Sequence, residues 1–355
     1  MGTDTFNVNL PAEWAPQSGV MLTWPHMNTD WAGIYDEVIP CFVNIAKEII
    51  KRENLLIVCV NIDEVKKALG NVDYSRIIFR EIYSNDSWAR DHAPISIFVN
   101  DMPYLLDFTF NGWGLKFPAN YDNQITKQLY ESAVFSYEAG YHNMLHVVLE
   151  GGSIESDGEG MVLTTSECLL SVNRNEYKSK DEIDNYLRML FGAERILWLD
   201  HGYLSGDDTD SHIDTLARFC SKETIAYVKC EDESDEHFEE LSLMEKELKS
   251  FKTLEGNPYN LIALPMAEAV YYEEERLPAT YANFLVINGA VLMPTYGSYL
   301  DEVAKQKLQQ AFPDREIVGI NCLPLIKQHG SLHCVTMQFP EGFLAKKDTV
   351  DYGQN

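Results

Sequence analysis

Positive charge is scarce in this chain. Over 355 residues, 28 Lys+Arg face 55 Asp+Glu, a formal net charge of −27. Such a surface repels polyanions, which argues against nucleic acid and anionic membranes as partners; it attracts a cationic small molecule and also favours solubility. Long hydrophobic runs are missing too: no apolar stretch approaches the roughly 18 residues needed to span a bilayer. Residues 1–6 carry no basic region followed by an apolar core, so the expected location is the cytoplasm. Seven cysteines are present: Cys41, Cys59, Cys168, Cys220, Cys230, Cys322 and Cys334. Their odd number, wide spacing and lack of any Cys-x-x-Cys pair fit neither a disulfide framework nor a cysteine zinc site. Most read as small buried side chains. No Pro/Ser-rich linker divides the chain, so one body spanning residues 1–355 is expected rather than two domains on a string.

Short apolar strands alternate with helical patterns. The run Leu55–Val60 reads as a strand, Asp63–Leu69 as a helix and Arg76–Tyr83 as a strand. The rhythm returns at Asp181–Phe191 with Arg195–Leu199, and again at Glu302–Phe312 with Arg315–Asn321. Phe238, Leu241, Met244, Leu248 and Phe251 recur at steps of three and four, which predicts a helix over about Asp235–Phe251 with a solvated, Glu-rich opposite face. The segments Phe191–Asp200 and Phe312–Asn321 echo one another. Each is a helix end, a turn with a basic residue, and an apolar strand ending in a polar residue, a weak sign of repeated αβ units.

Four turns between these elements are chemically loaded. Residues 206–214 read Gly-Asp-Asp-Thr-Asp-Ser-His-Ile-Asp, four carboxylates and an imidazole that repel or bind unless a cation sits near. Neighbouring carboxylates are expected to hold His212 protonated. Asn85–Pro94 contains Trp88, Arg90 and Asp91. Glu150 precedes Gly151-Gly152, a pair that lets backbone approach a ligand closely. Cys334 follows a Gly-Ser turn and His333. Each cluster also has a plain structural reading: Asp91 as an ion-pair partner, Glu150 as a capped turn, Cys334 as one more buried thiol.

A metal reading of the Asp loop places Asp208, Asp210 and His212 at alternate positions. The loop nevertheless lacks the sixth-position glycine and distal Glu of a calcium hand, and His suits calcium poorly. A reading that uses all four clusters is a planar guanidinium clamped by two carboxylates. A cysteine attacks its carbon, and a histidine donates to the leaving amine. That chemistry needs no metal and no organic cofactor. A cation-binding module without catalysis remains the alternative of another class, and a papain-like protease leaves the carboxylates unexplained.

These motifs resemble the agmatine deiminases of the agmatine/peptidylarginine deiminase family, in the guanidine-modifying (pentein) superfamily. The resemblance spans roughly residues 7–340. It rests on Pro11-Ala12-Glu13-Trp14, Thr23-Trp24-Pro25, Trp88-Ala89-Arg90-Asp91 and Phe110–Gly114. Further along it takes in Leu149–Ser153, Asn173-Arg174-Asn175, Asp208–Asp214, Pro278–Phe284 and His333-Cys334. It implies an α/β fold, a five-bladed propeller of αβ repeats with the site in a central channel. It implies hydrolysis of agmatine to N-carbamoylputrescine and ammonia, with Cys334 as nucleophile through an amidino-cysteine and His212 as general acid and then base. Asp91 and Asp214 would grip the guanidinium nitrogens, and Glu150 would orient His212 or share that grip. Asp208, Trp88 and Trp113 would line the substrate pocket. A homodimer is left open. Two departures, a single glycine in Gln328–Leu332 and Ala93 before the proline, bear on substrate identity more than on reaction type, so peptidylarginine and free arginine remain alternatives.

Overall fold

The computed structural model describes residues 7–175 and 178–345. Its sheets repeat one plan: a strand pairs antiparallel with the next strand, which passes through a helix to a third, parallel strand. Ile154–Ser156, Met161–Thr165, the helix Lys180–Phe191 and Arg195–Leu199 form one such unit. Ala217–Ser221, Thr224–Lys229, the helix Phe238–Ser250 and Asn260–Pro265 form another. Leu285–Ile287, Ala290–Thr295, the helix Leu300–Ala311 and Glu316–Asn321 form a third. Ile95–Val99, Met102–Thr109, the helix Ile125–Glu131 and Gly140–Val148 form a fourth, with Val8–Asn9 added at its edge.

The fifth unit is split across the chain. Gln17–Thr23 leads through the helix Tyr35–Ile50 to the parallel strands Asn54–Cys59 and Ile77–Glu81. Its antiparallel strand is Thr336–Pro340, contributed from the other end of the sequence. The long-range pairing that closes this sheet also joins the two ends of the fold. These five α/β units match in number the five blades that the family resemblance implied, with one hairpin (Tyr271–Tyr272 with Glu275–Arg276) outside them.

Local chemistry explains the elements. Strand Asn54–Cys59 is buried along nearly its whole length because the helices cover its faces, so it reads as a continuous apolar run rather than an alternation. Helix Lys180–Phe191 starts on a capping box, Ser179 with Glu182, and stops at Gly192 in the left-handed conformation. The helix expected over Asp235–Phe251 begins three residues later, at Phe238. Asp235 is spent elsewhere: it accepts from the His237 amide at 3.0 Å and pairs with Arg276 at 2.8 Å. Leu241, Met244 and Leu248 of its stripe are buried, as the periodicity requires. The two echoing segments, 191–200 and 312–321, occupy the same place in two different blades, the end of the helix and the parallel strand after it. None of the described helices is long and apolar enough to cross a membrane.

Candidate active site

Each blade contributes a polar residue from the short segment just before its first, antiparallel strand. Asp91 lies on the single buried turn Ala89–His92 that precedes Ile95. Glu150, Gly151 and Gly152 precede Ile154; His212 and Asp214 precede Ala217. Asn283 precedes Leu285, and Cys334 precedes Thr336. One position in a repeated unit, used five times, brings residues more than 240 apart in sequence to one place.

Convergence is tight. Asp91 Oδ1 accepts from the Gly152 amide at 3.1 Å and lies 3.7 Å from His212 Nδ1. Asp91 Oδ2 accepts from Trp113 Nε1 at 2.9 Å. A side-chain carbon at Gly152 would lie 2.6 Å from His212 Nδ1, 2.8 Å from Asp91 Oδ1 and 3.2 Å from Asp214 Oδ2, so only glycine leaves this space open. Cys334 Sγ lies 3.9 Å from Asp214 Oδ2 and accepts from Asn283 Nδ2 at 3.2 Å. The Asn283 amide is oriented by the backbone: its Oδ1 accepts from the amides of His333 (2.8 Å) and Cys334 (3.3 Å).

Buried polar atoms are normally paired. Here both ring nitrogens of His212 and Oδ1 of Asp214 have no protein partner. Three unpaired atoms on two side chains, in a cluster that includes a buried thiol, mark a place built for a ligand. Burial, then the charges of Asp214 and Asp91, push the Cys334 thiol well above its usual range. Burial and the nearby Asp214 likewise raise Asp91 well above an ordinary carboxyl. His212 differs from expectation. Burial pushes it down to about 3, outweighing the lift from Asp214, so the ring is neutral in this structure. The sequence showed the carboxylates beside it but not the desolvation, which is the larger effect.

Glu150 is also fully buried, and both of its oxygens accept from Arg174 Nε, at 2.8 and 3.0 Å. One of its oxygens, the Cys168 sulfur and a His212 nitrogen all lie within 4.8 Å of one another. Glu150 therefore lies near the imidazole without a hydrogen bond to it. Arg174 continues to Asp210 Oδ2 (2.6 Å) and to the carbonyl of Thr209 (2.7 Å), and Lys116 pairs with Asp210 Oδ1 at 2.7 Å. Asp207 accepts from the amides of Thr209 and Ser211 and so holds the loop. Asp210 and Ser211 sit at positive φ, 64° and 60°, an unfavourable conformation that this web of bonds maintains. The alternate-position set Asp208, Asp210 and His212 is not assembled for a metal, because Asp210 faces two basic side chains instead. The cluster of Glu13, Glu155 and His333 has the Arg218 guanidinium where an ion would sit.

A narrow cleft opens onto Cys334 and Asp91. Trp88, Trp113 and Asp208, which the resemblance assigned to a substrate pocket, line it together with Asp30, Asp86, Phe117 and His329. Burial pushes Asp86 up to about 7, and it raises Asp208 against the pull of His329 and Lys116. Gly330 is the one glycine that the segment before Cys334 cannot lose: a side-chain carbon there would meet the Trp88 ring at 2.1 Å.

Sequence reasoning gave no role to several residues here: Glu13, Arg174, Arg218, Asn283 and His333. Glu13, Arg174, Asn283 and His333 sit in motifs that carried the resemblance. Arg218 offered its own signal, a charge in the middle of the apolar strand Ala217–Ser221. Such a charge must find a buried partner.

The profile of the Porphyromonas-type peptidyl-arginine deiminases matches residues 9–340. A Porphyromonas gingivalis structure provisionally named an arginine deiminase superimposes with a TM-score of 0.92 at 53% identity, covering 95% of this chain and 100% of that one. The substrate-bound agmatine deiminase of C. jejuni does so at 0.90 and 36% identity, covering 96% and 99%. A Legionella pneumophila (strain Paris) protein provisionally named an agmatine deiminase is 33% identical over 338 residues, 94% of this chain and 96% of its own. The chain belongs to the Porphyromonas-type peptidyl-arginine deiminase family.

Proposed function

We propose that this protein is a hydrolase acting on the C–N bond of a linear amidine, and that its substrate is agmatine. Cys334 gives its thiol proton to the neutral His212 as Sγ attacks the central guanidinium carbon. The C–N bond to one terminal nitrogen breaks, and that nitrogen leaves as ammonia, taking its proton from His212. Water, deprotonated by His212, then displaces the sulfur and gives N-carbamoylputrescine. Asp91 and Asp214 hold the guanidinium nitrogens, and Glu150 orients His212 from behind.

The observation that carries this reading is the set of unpaired atoms in the Asp91–His212–Asp214–Cys334 cluster, namely both His212 nitrogens and Asp214 Oδ1. A guanidinium supplies the donors that the carboxylate lacks and the positive charge that would lower the Cys334 thiol. Agmatine is favoured over free arginine by the cleft. Four carboxyls, Asp30, Asp86, Asp91 and Asp208, line it, and no Lys or Arg is among its described lining residues. An amine at the far end of the substrate meets favourable charge there, whereas an α-carboxylate would be repelled. Homologues named for agmatine deimination support the same choice. Seven thiols, none in a disulfide among the described residues, suit a reducing cytoplasmic location.

The test is turnover of agmatine, free arginine and a blocked arginine peptide by the intact protein and by Cys334→Ala. Agmatine turnover with N-carbamoylputrescine as product, an acid-trapped amidino adduct on Cys334, and no turnover by the variant are expected. Retained turnover in Cys334→Ala would overturn the mechanism. Preference for arginine would overturn the substrate. Calcium-raised thermal stability with a dispensable Cys334 would favour the binding-module alternative.

A further inference from the structure

Behind Asp214 lies a chain of buried groups that the proposed reaction does not use. Asp214 Oδ2 is 2.7 Å from His333 Nδ1. His333 Nε2 is 2.7 Å from Glu13 Oε2. Glu13 Oε2 also accepts from Arg218 Nη2 at 2.6 Å, and Glu13 Oε1 accepts from the Val286 amide at 2.6 Å. All four side chains are buried. Arg218 Nη2 stands 3.0 Å from the same ring nitrogen.

Protons can be counted along this chain. Two lone pairs facing each other at 2.7 Å repel, so a proton lies between His333 Nε2 and Glu13 Oε2. Burial raises Glu13, but Arg218 and His333 outweigh it and hold the carboxyl far below its usual range. A carboxyl so strongly ionised does not carry that proton, which leaves it on the ring. At the other nitrogen, burial raises Asp214, and the bond to His333 with the neighbouring His333 and Arg218 lowers it again. That oxygen too accepts from the ring. An imidazole that donates at both nitrogens is a cation. Burial and the guanidiniums of Arg218 and Arg90 lower His333 below its usual value, against the support of Glu13 and the Asp214 bond, so the cation rests on the two short contacts. Two carboxylate oxygens at 2.7 Å, one per nitrogen, decide for the cation. The charged groups facing the ring are Asp214, Glu13, Arg218 and Arg90, with Glu155 beyond Arg218 and Cys334 adjacent in sequence. Those facing Asp214 are His333, His212, Arg218, Asp91 and Cys334.

We propose that Glu13 is a positioning residue for Asp214, acting through His333. It holds His333 as an imidazolium, and that ring keeps Asp214 ionised with Oδ2 occupied and only Oδ1 turned to the guanidinium. The role rests on the deiminase reading. A first measurement is independent of it: ¹⁵N NMR of histidine-labelled protein without substrate.

His333 is expected to give imidazolium signals at both nitrogens at pH 8, and in Glu13→Gln the ring is expected to be neutral there. Gln keeps an oxygen for the ring and removes only the charge. With agmatine, Glu13→Gln is expected to lose roughly tenfold in kcat/KM at pH 6 and under about threefold at pH 8, because Asp214 now protonates more easily. Glu13→Asp is expected to restore the acidic limb. A neutral His333 in the unaltered protein overturns the proposal, as does a Glu13→Gln loss equal at all pH values. If agmatine is not turned over at all, the NMR result still decides the protonation of His333, and the deiminase reading fails separately. If Glu13→Gln does not fold, the NMR of the unaltered protein decides alone.

Discussion

The two sides of Asp214, the cleft end and the far end at Arg218, are equally buried and opposite in their hydrogen bonding. At the cleft end, His212 has two unpaired nitrogens and Asp214 one unpaired oxygen. At the far end, Arg218 is bonded to Glu13, Glu155 and the carbonyls of Ala282 and Phe284, and its guanidinium lies 4.6 Å from the centre of the Phe284 ring. Burial therefore says little about role; the unmet bonds do. Saturated charges hold the blades together, since Arg218 ties three strand-bearing segments to Glu13 near the start of the chain. Unsaturated ones await a substrate. Asp214 belongs to both ends, with Oδ2 committed to His333 and Oδ1 left free.

The comparison breaks if the far end proves dispensable. Arg218→Met removes the cation between Glu13 and Glu155 and leaves two buried carboxyls without it. A loss of about 3–5 kcal/mol in unfolding free energy is expected, since breaking a buried pair strands its partner. Urea denaturation at pH 8 measures it. A change under about 1 kcal/mol would mean the network contributes little to stability and the contrast is false.

At the cleft end the expected effect is on rate and not on folding. Gly152→Ala places a methyl 2.6 Å from His212 Nδ1 and 2.8 Å from Asp91 Oδ1. Those groups must move by a few tenths of an ångström or more, and displacements near 1 Å cost about 100-fold in rate. A fall in kcat/KM for agmatine of that order is expected, with a melting temperature close to that of the unaltered protein. Activity within about threefold would show that the three side chains do not need this spacing.

What was legible in the sequence divides along the same line. Residues that carry chemistry sit on turns between apolar strands, where a Cys, a His or a carboxylate beside glycines stands out; Asp91, Glu150, His212, Asp214 and Cys334 were all visible this way. Asp208, Trp88 and Trp113 were assigned to the pocket by resemblance, and they line the cleft. The blade repeat showed only as an echo between 191–200 and 312–321, because the repeated units share a hydrophobic pattern more than residues. The split blade was not legible at all. Its defining contact, Thr336–Pro340 with Gln17–Thr23, spans more than 300 residues and leaves no local trace. The charge state of His212 was misread because its neighbours are written in the sequence and its desolvation is not.

The smallest effect concerns protons. Asp91 is raised well above an ordinary carboxyl by burial and by Asp214, so it is protonated in the free protein until the pH passes that raised value. Holding a guanidinium requires it ionised, so binding must release a proton below that pH. The apparent KM for agmatine is then expected to fall as pH rises, by up to about tenfold per unit for one proton, and to level off above the raised value. Titration calorimetry in two buffers of different ionisation enthalpy counts the proton directly. Asp91→Asn should abolish the release and weaken binding at every pH. The same sign governs stability. A carboxyl whose folded pKa is raised stabilises the fold below its unfolded pKa, and that contribution is lost as pH climbs through the folded value. Agmatine, by supplying the cation, should protect the protein most at high pH, where Asp91 and Asp214 are both charged with no guanidinium between them. If binding releases no proton, Asp91 is already ionised, and its burial at the cleft end is compensated in the free protein as fully as Arg218 is at the other.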